Sequence, residues 1–219
     1  MYIAIEGVIG VGKTTLARLL HEPFQANLML EVFEENPFLS NFYADRQRYA
    51  FQTQIFFLLS RYHQQRRSSL GLSASGRGLL SDYTFEKDAL FAAINLHGDE
   101  LDMYQRVHEA LAEKITNPDL IVYLRAGTDF LMQRIAMRDR AYERNMQRTY
   151  IDELNHAYDD FFLKGPRTAP VLTIEASSFD FLNHNEDLRW IENRIRQELH
   201  MTPFQPELPL DGLKTPDRA

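Results

Sequence analysis

Residues 7–14 read Gly7-Val8-Ile9-Gly10-Val11-Gly12-Lys13-Thr14, the Gly-x-x-x-x-Gly-Lys-Thr spacing of a loop that wraps phosphate. Glycines at 7, 10 and 12 let backbone N–H groups, such as that of Val11, approach phosphate oxygens. Lys13 supplies positive charge to the β- and γ-phosphates, and the Thr14 hydroxyl suits a magnesium ion. Thr15 continues into a helix whose N-terminal dipole adds to the attraction for anions. The chemistry expected of such a loop is the holding of a nucleoside triphosphate together with its metal.

Two acids stand where apolar runs end. Glu31 closes one run and is followed by Glu34-Glu35-Asn36-Pro37-Phe38; Asp82 closes another and is followed by Tyr83, and both Asp82 and Tyr83 are candidates to line the substrate side. Phosphoryl transfer needs an acid near magnesium and a base near the attacking hydroxyl, and carboxylates at two neighbouring strand ends supply both. The alternative for either acid is to cap the helix that follows. Gln54 and Arg61 lie seven residues apart, on one helix face. A glutamine amide offers a donor and an acceptor, as a nucleobase edge does. Amid Phe51, Phe57 and Phe85 it would be costly to bury without a partner. Further on, Arg134, Arg138, Arg140, Glu143, Arg144 and Arg148 make a stretch too charged for a core. Residues 138–147 read as a lid whose arginines close over phosphates and exclude water; the alternative is a solvated helix face laced with ion pairs. The seven histidines show no metal-ligand spacing, and no hydrolase nucleophile motif is present.

These residues need elements to position them. Apolar runs at 2–6, 28–31, 78–82, 119–124 and 171–175 have the length of buried strands, with helical patterns between them. Alternation of this kind predicts an α/β fold with a five-stranded parallel sheet covered on both faces and ligands at the strand C-terminal ends. Asp45–Arg67 and Glu100–Ile115 read as long helices. Residues 63–78, rich in serine and glycine, read as a loop. A single domain over 1–200 is expected, and 201–219, with four prolines, reads as a flexible tail.

Composition narrows the class. The chain has 219 residues, a net charge of −7, no cysteine and 44% hydrophobic residues. The acidic balance argues against a nucleic acid polymer as partner. Without cysteine there are no disulfides or thiolate sites, and no run is apolar for long enough to span a bilayer. The first strand begins at residue 2, leaving no room for a cleaved signal; together these predict a cytoplasmic protein.

Taken together, the blocks resemble the deoxyribonucleoside kinases, in particular the bacterial deoxyguanosine/deoxyadenosine kinases. The likeness runs from residue 2 to about 163. Its motifs are Ile5-Glu6-Gly7 through Thr15, Glu31 with Glu34 to Phe38, Phe42-Tyr43, Phe51 to Gln54 with Ser60-Arg61, Ser81-Asp82-Tyr83 with Lys87-Asp88, Asp119 to Leu124, Arg134 to Arg140, and Tyr150 to Phe162. The resemblance implies ATP- and Mg²⁺-dependent phosphorylation of a deoxynucleoside 5′-hydroxyl, with deoxyguanosine slightly ahead of deoxyadenosine, in a homodimer formed through the long helices. It implies Glu31 as general base and Tyr43 with Glu143 at the sugar 3′-hydroxyl. Gln54 would pair with the base, and Arg61 with Asp88 would adapt the pocket to a polar base. Lys13, Arg134, Arg138 and Arg140 would neutralise phosphate charge, and Thr14 and Asp82 would lie on the metal side. Many members carry an arginine directly after the acid of the third strand; here Tyr83 stands there, and Lys87 is the nearby residue able to supply charge. Two other readings stay open: a thymidylate-type monophosphate kinase, disfavoured by carboxylates beside the acceptor position, and a non-catalytic nucleotide-binding regulatory subunit.

Overall fold

A computed structural model of the protein describes residues 1–203 apart from Glu34, Asn145 and Arg167, with the side chains of residues 69–75 also left out. The expected tail therefore lies, from residue 204 on, outside the described residues.

Five strands form one parallel sheet: β1 (Tyr2–Gly7), β2 (Ala26–Met29), β3 (Gly78–Ser81), β4 (Leu120–Arg125) and β5 (Val171–Glu175), in the order β2-β3-β1-β4-β5. Every residue of β1 is buried, and Ile3, Ile5, Leu80 and Val122 are wholly enclosed, because helices cover both faces of the sheet. The helices are α1 (Lys13–Leu20), α2 (Leu39–Ala44), α3 (Arg46–Ser75), α4 (Lys87–Asn95), α5 (Gly98–Ala112), α6 (Thr128–Arg138), α7 (Arg148–Asp159) and α8 (Asn185–Glu198). Leu16 and Leu20 of α1, Leu58 of α3 and Ile191 of α8 drive their helices into the core.

Two expectations need correction. β2 begins at Ala26 and ends at Met29, so the expected strand 28–31 is displaced. Side chains replace the ladder beyond Met29: Gln64 Nε2 donates to the Leu30 carbonyl at 2.6 Å, and the Glu31 N–H donates to Asp82 Oδ1 at 2.7 Å. With its backbone satisfied this way, the chain leaves the sheet before Glu31. The expected loop at 63–78 is helix as far as Ser75. A helix already nucleated over an apolar first half tolerates weak formers at its end, since each added residue costs far less than a nucleus. It stops at Gly76, whose φ of 66° is the left-handed cap conformation. Asp45 caps the other end, its Oδ1 accepting the Arg48 N–H at 3.2 Å.

Candidate active site

The phosphate loop joins β1 to α1. Gly7, Gly10 and Gly12 have φ values of 146°, 91° and 109°, so the turn requires glycine. A Cβ on Gly7 would lie 2.4 Å from the Leu124 carbonyl oxygen. Val11 is buried beneath the loop, and Thr15 follows Lys13 and Thr14 in the first turn of α1. Lys13 Nζ donates to the Gly7 carbonyl at 2.6 Å and to that of Val8 at 3.3 Å. Burial, then the neighbouring Lys87 ammonium, lowers the Lys13 amine to about 8.

Asp82 sits just beyond β3 and is buried. One of its oxygens accepts the Thr14 hydroxyl and the other the Glu31 N–H. Among the described residues no group of three or more histidines, acids or cysteines could hold a metal alone. A hydroxyl and a carboxylate brought together at a phosphate loop do fit a magnesium ion that completes its shell with phosphate and water.

Glu31 is gripped from two sides. Arg61, on α3, donates to Oε1, and Lys87, at the start of α4, donates to Oε2 at 2.7 Å. Burial alone would raise the Glu31 carboxyl, but the guanidinium and ammonium outweigh it and hold the group far below the usual carboxylate range. Arg61 also pairs with Asp88, which is wholly buried. Gln54, seven residues before Arg61 on α3, is buried.

The segment after α6 closes the other side. Glu143, buried in a short 3₁₀ turn (Ala141–Glu143), accepts Arg138 Nε at 2.9 Å and Arg138 Nη2 at 2.6 Å, with Arg140 3.8 Å away. Arg140 lies over the Phe33 ring, 4.1 Å from its centre, and Tyr142 stacks on Tyr43 at 6.3 Å. Burial pushes the Tyr43 phenol well above its ordinary value, so it is a neutral hydrogen-bonding group.

One cavity is lined by Lys13, Thr14, Glu31, Tyr43, Gln54, Arg61, Asp82, Arg138, Arg140 and Glu143 together. Asp88 is not in the lining but backs Arg61. Two expected residues are elsewhere. Arg134 lies along α6 with its guanidinium 5.1 Å from the Phe130 ring centre. Tyr83 is wholly buried against Tyr2, Ala4, Met29 and Leu79, and its hydroxyl donates to Gln64 Oε1 at 2.7 Å. Phe33, Phe57, Phe91 and Tyr142 also line the cavity without having been singled out from the sequence. Phe33 and Tyr142 could have been found by their places beside Glu31 and Glu143.

Fold and site together define a P-loop kinase: a parallel sheet whose strand ends bring a phosphate loop, an acid and an enclosed acceptor cavity to one edge. The sequence profile of the deoxynucleoside kinase family matches residues 3–200, and the chain belongs to that family. It is 32% identical over 199 residues to deoxyguanosine kinase of Bacillus subtilis, covering 90% of this chain and 96% of that protein. It is 29% identical to the deoxyadenosine/deoxycytidine kinase of the same organism, over 90% of this chain and 93% of that one. A solved structure of deoxyadenosine kinase from M. mycoides with bound dCTP shares the fold, with a TM-score of 0.76 and 24% identity over 90% of this chain and 100% of that one. The protein is therefore an enzyme, a transferase acting as a deoxynucleoside kinase. No helix among the described residues is long and apolar enough to cross a membrane.

Proposed function

We propose that the enzyme transfers the γ-phosphoryl group of ATP to the 5′-hydroxyl of a purine deoxynucleoside, with deoxyguanosine preferred to deoxyadenosine. The observation that carries this reading is the single cavity in which Lys13, Thr14 and Asp82 face Glu31, with Gln54 and Arg61 beyond it. ATP lies on the phosphate loop, and magnesium, held through Thr14 and Asp82, supplies charge neutralisation of its phosphates. Glu31 takes the proton as the 5′-oxygen bonds to the γ-phosphorus and the bond to the leaving diphosphate breaks. Lys13, with Arg138 and Arg140 from the lid, offsets charge on the γ-oxygens. Tyr43 and Glu143 hold the sugar, and the Tyr43 ring crowds the 2′ position against ribose.

Gln54 pairs with the purine edge in either amide orientation. Arg61 adds a donor aimed by Asp88, which suits the O6 acceptor of guanine better than the N6 amine of adenine. We place the enzyme in the cytoplasm, where a chain without cysteine suits a reducing setting.

The test is ATP-dependent phosphorylation of deoxyguanosine, deoxyadenosine, deoxycytidine and thymidine, with dTMP as a further acceptor. Deoxyguanosine should give the highest kcat/KM, and Glu31→Gln should cost roughly 10²–10⁴-fold in kcat while leaving nucleoside affinity nearly unchanged. Near-normal turnover in Glu31→Gln would refute the base, and turnover on dTMP alone would refute the acceptor class.

A further inference from the structure

Glu6 is a wholly buried carboxylate with no part in the chemistry above. It stands one residue before Gly7, on β1. Its Oε1 accepts the Thr84 N–H at 2.6 Å and the Thr84 hydroxyl at 3.0 Å, and its Oε2 accepts the Gly7 N–H at 3.2 Å and the Tyr158 hydroxyl at 3.4 Å. The Thr84 hydroxyl oxygen in turn accepts the Lys87 N–H at 3.3 Å, in the first turn of α4. From that turn the Lys87 side chain, 4% exposed, reaches Glu31 Oε2 at 2.7 Å. An unbroken run of polar contacts thus joins the root of the phosphate loop to the acceptor-side carboxylate.

We propose that Glu6 and Thr84 are positioning residues that fix Lys87 against Glu31, and that Lys87 is the permanent counter-charge of the base. This rests on Glu31 being the general base. Two cations touch Glu31, but their situations differ. Arg61 is shared with Asp88 and lies seven residues from Gln54 on α3, where a nucleobase would draw on its donors, although both cations line the cavity. Lys87 makes its one ion pair among the described residues with Glu31, and the buried Glu6 carboxylate acts on it from farther off. A triphosphate on the loop brings several negative charges beside Glu31, and like charge disfavours the ionised carboxylate. A cation held from behind, by groups no substrate touches, keeps the base charged and aimed throughout that change.

The test is kcat and KM for deoxyguanosine at one pH, with saturating Mg-ATP, on the full chain and its Lys87→Met, Lys87→Arg, Thr84→Val and Thr84→Ser variants. Circular dichroism confirms each fold, and Lys87→Gln serves in place of Lys87→Met should the latter not fold. Lys87→Met should lose roughly 10–100-fold in kcat from a misplaced base, with KM little changed. Lys87→Arg should recover most of that loss. Thr84→Val should lower kcat in the same way by a smaller factor, and Thr84→Ser should restore it. A purely structural role would move KM with kcat and would not be rescued by a second cation at 87. Lys87→Met within twofold of wild type in kcat, or Lys87→Arg no better than Lys87→Met, overturns the role of Lys87; a lowered kcat there with none in Thr84→Val overturns the positioning chain. Glu31→Gln separates the layers: full activity in that variant sinks the base assignment itself, whereas its inactivity beside a normal Lys87→Met sinks only this inference.

Discussion

Arg61→Met should be the most destabilising change in the acceptor cavity, because of what it leaves behind. Asp88 is wholly buried, and Arg61 is its one ionic partner among the described residues. Glu31 loses one cation but keeps Lys87 on its other oxygen, so most of the cost falls on Asp88. Removing one member of a buried pair costs about 3–5 kcal/mol. For a domain of this size each kcal/mol moves the midpoint by roughly 2–4 °C, so thermal unfolding of the substrate-free enzyme should drop by roughly 6–20 °C. Adding Asp88→Leu removes the stranded charge and should recover most of the loss. It should fall short by about 1 kcal/mol, because Asp88 also sits in the first turn of α4 where an acid favours the helix dipole. A buried, unpartnered carboxylate favours its protonated form. The gap between Arg61→Met and wild type should accordingly widen as pH rises from about 5 to about 8. Calorimetry and urea titration of the four proteins of this cycle measure all of it. An Arg61→Met midpoint within about 2 °C of wild type, or a double variant no more stable than the single one, would refute the reasoning.

Two further expectations follow from other parts of the site. Since the Lys13 amine is lowered to about 8, it loses its proton as pH rises past that value, whereas a bound triphosphate favours the charged form. ATP affinity should fall above about pH 8 and binding should take up a proton there; calorimetry in two buffers of different ionisation enthalpy reads this, and equal heats would count against it. The exposed Leu59 on α3 and Met103 on α5 support the homodimer expected across the long helices; sedimentation equilibrium should give twice the chain mass, with Leu59→Glu shifting it toward the monomer, and a wild-type monomer would remove the proposal.

The phosphate loop was legible because its chemistry is local: eight consecutive residues carry both the conformational demand and the charge. The five strands were legible because parallel strands buried on both faces write continuous apolar runs. Glu31 and Asp82 could be placed at one edge by the parallel sheet alone. Where β2 ends could not be read, since its exit depends on Gln64 and Asp82 reaching over from distant elements. The second half of α3 is not legible locally, because its serines and glycines argue for a loop while helix continuation depends on the apolar half that precedes them. The roles of Glu6 and Thr84 were invisible for the same reason as the grip on Glu31: each is a contact between residues tens of positions apart. Tyr83 and Arg134 show the converse, that nearness in sequence to a site does not bring a side chain into it.

Asp82 spends one oxygen on Thr14 of the phosphate loop and the other on the backbone of Glu31. The donor half and the acceptor half of the cavity thus share a single hinge pin. A substitution meant to retune one half through Asp82 will be felt in the other, so apparent affinity for the phosphate donor and turnover of the acceptor should drift together. Tailoring this enzyme to new nucleosides is better attempted from Gln54 and Tyr43, which stand outside that linkage.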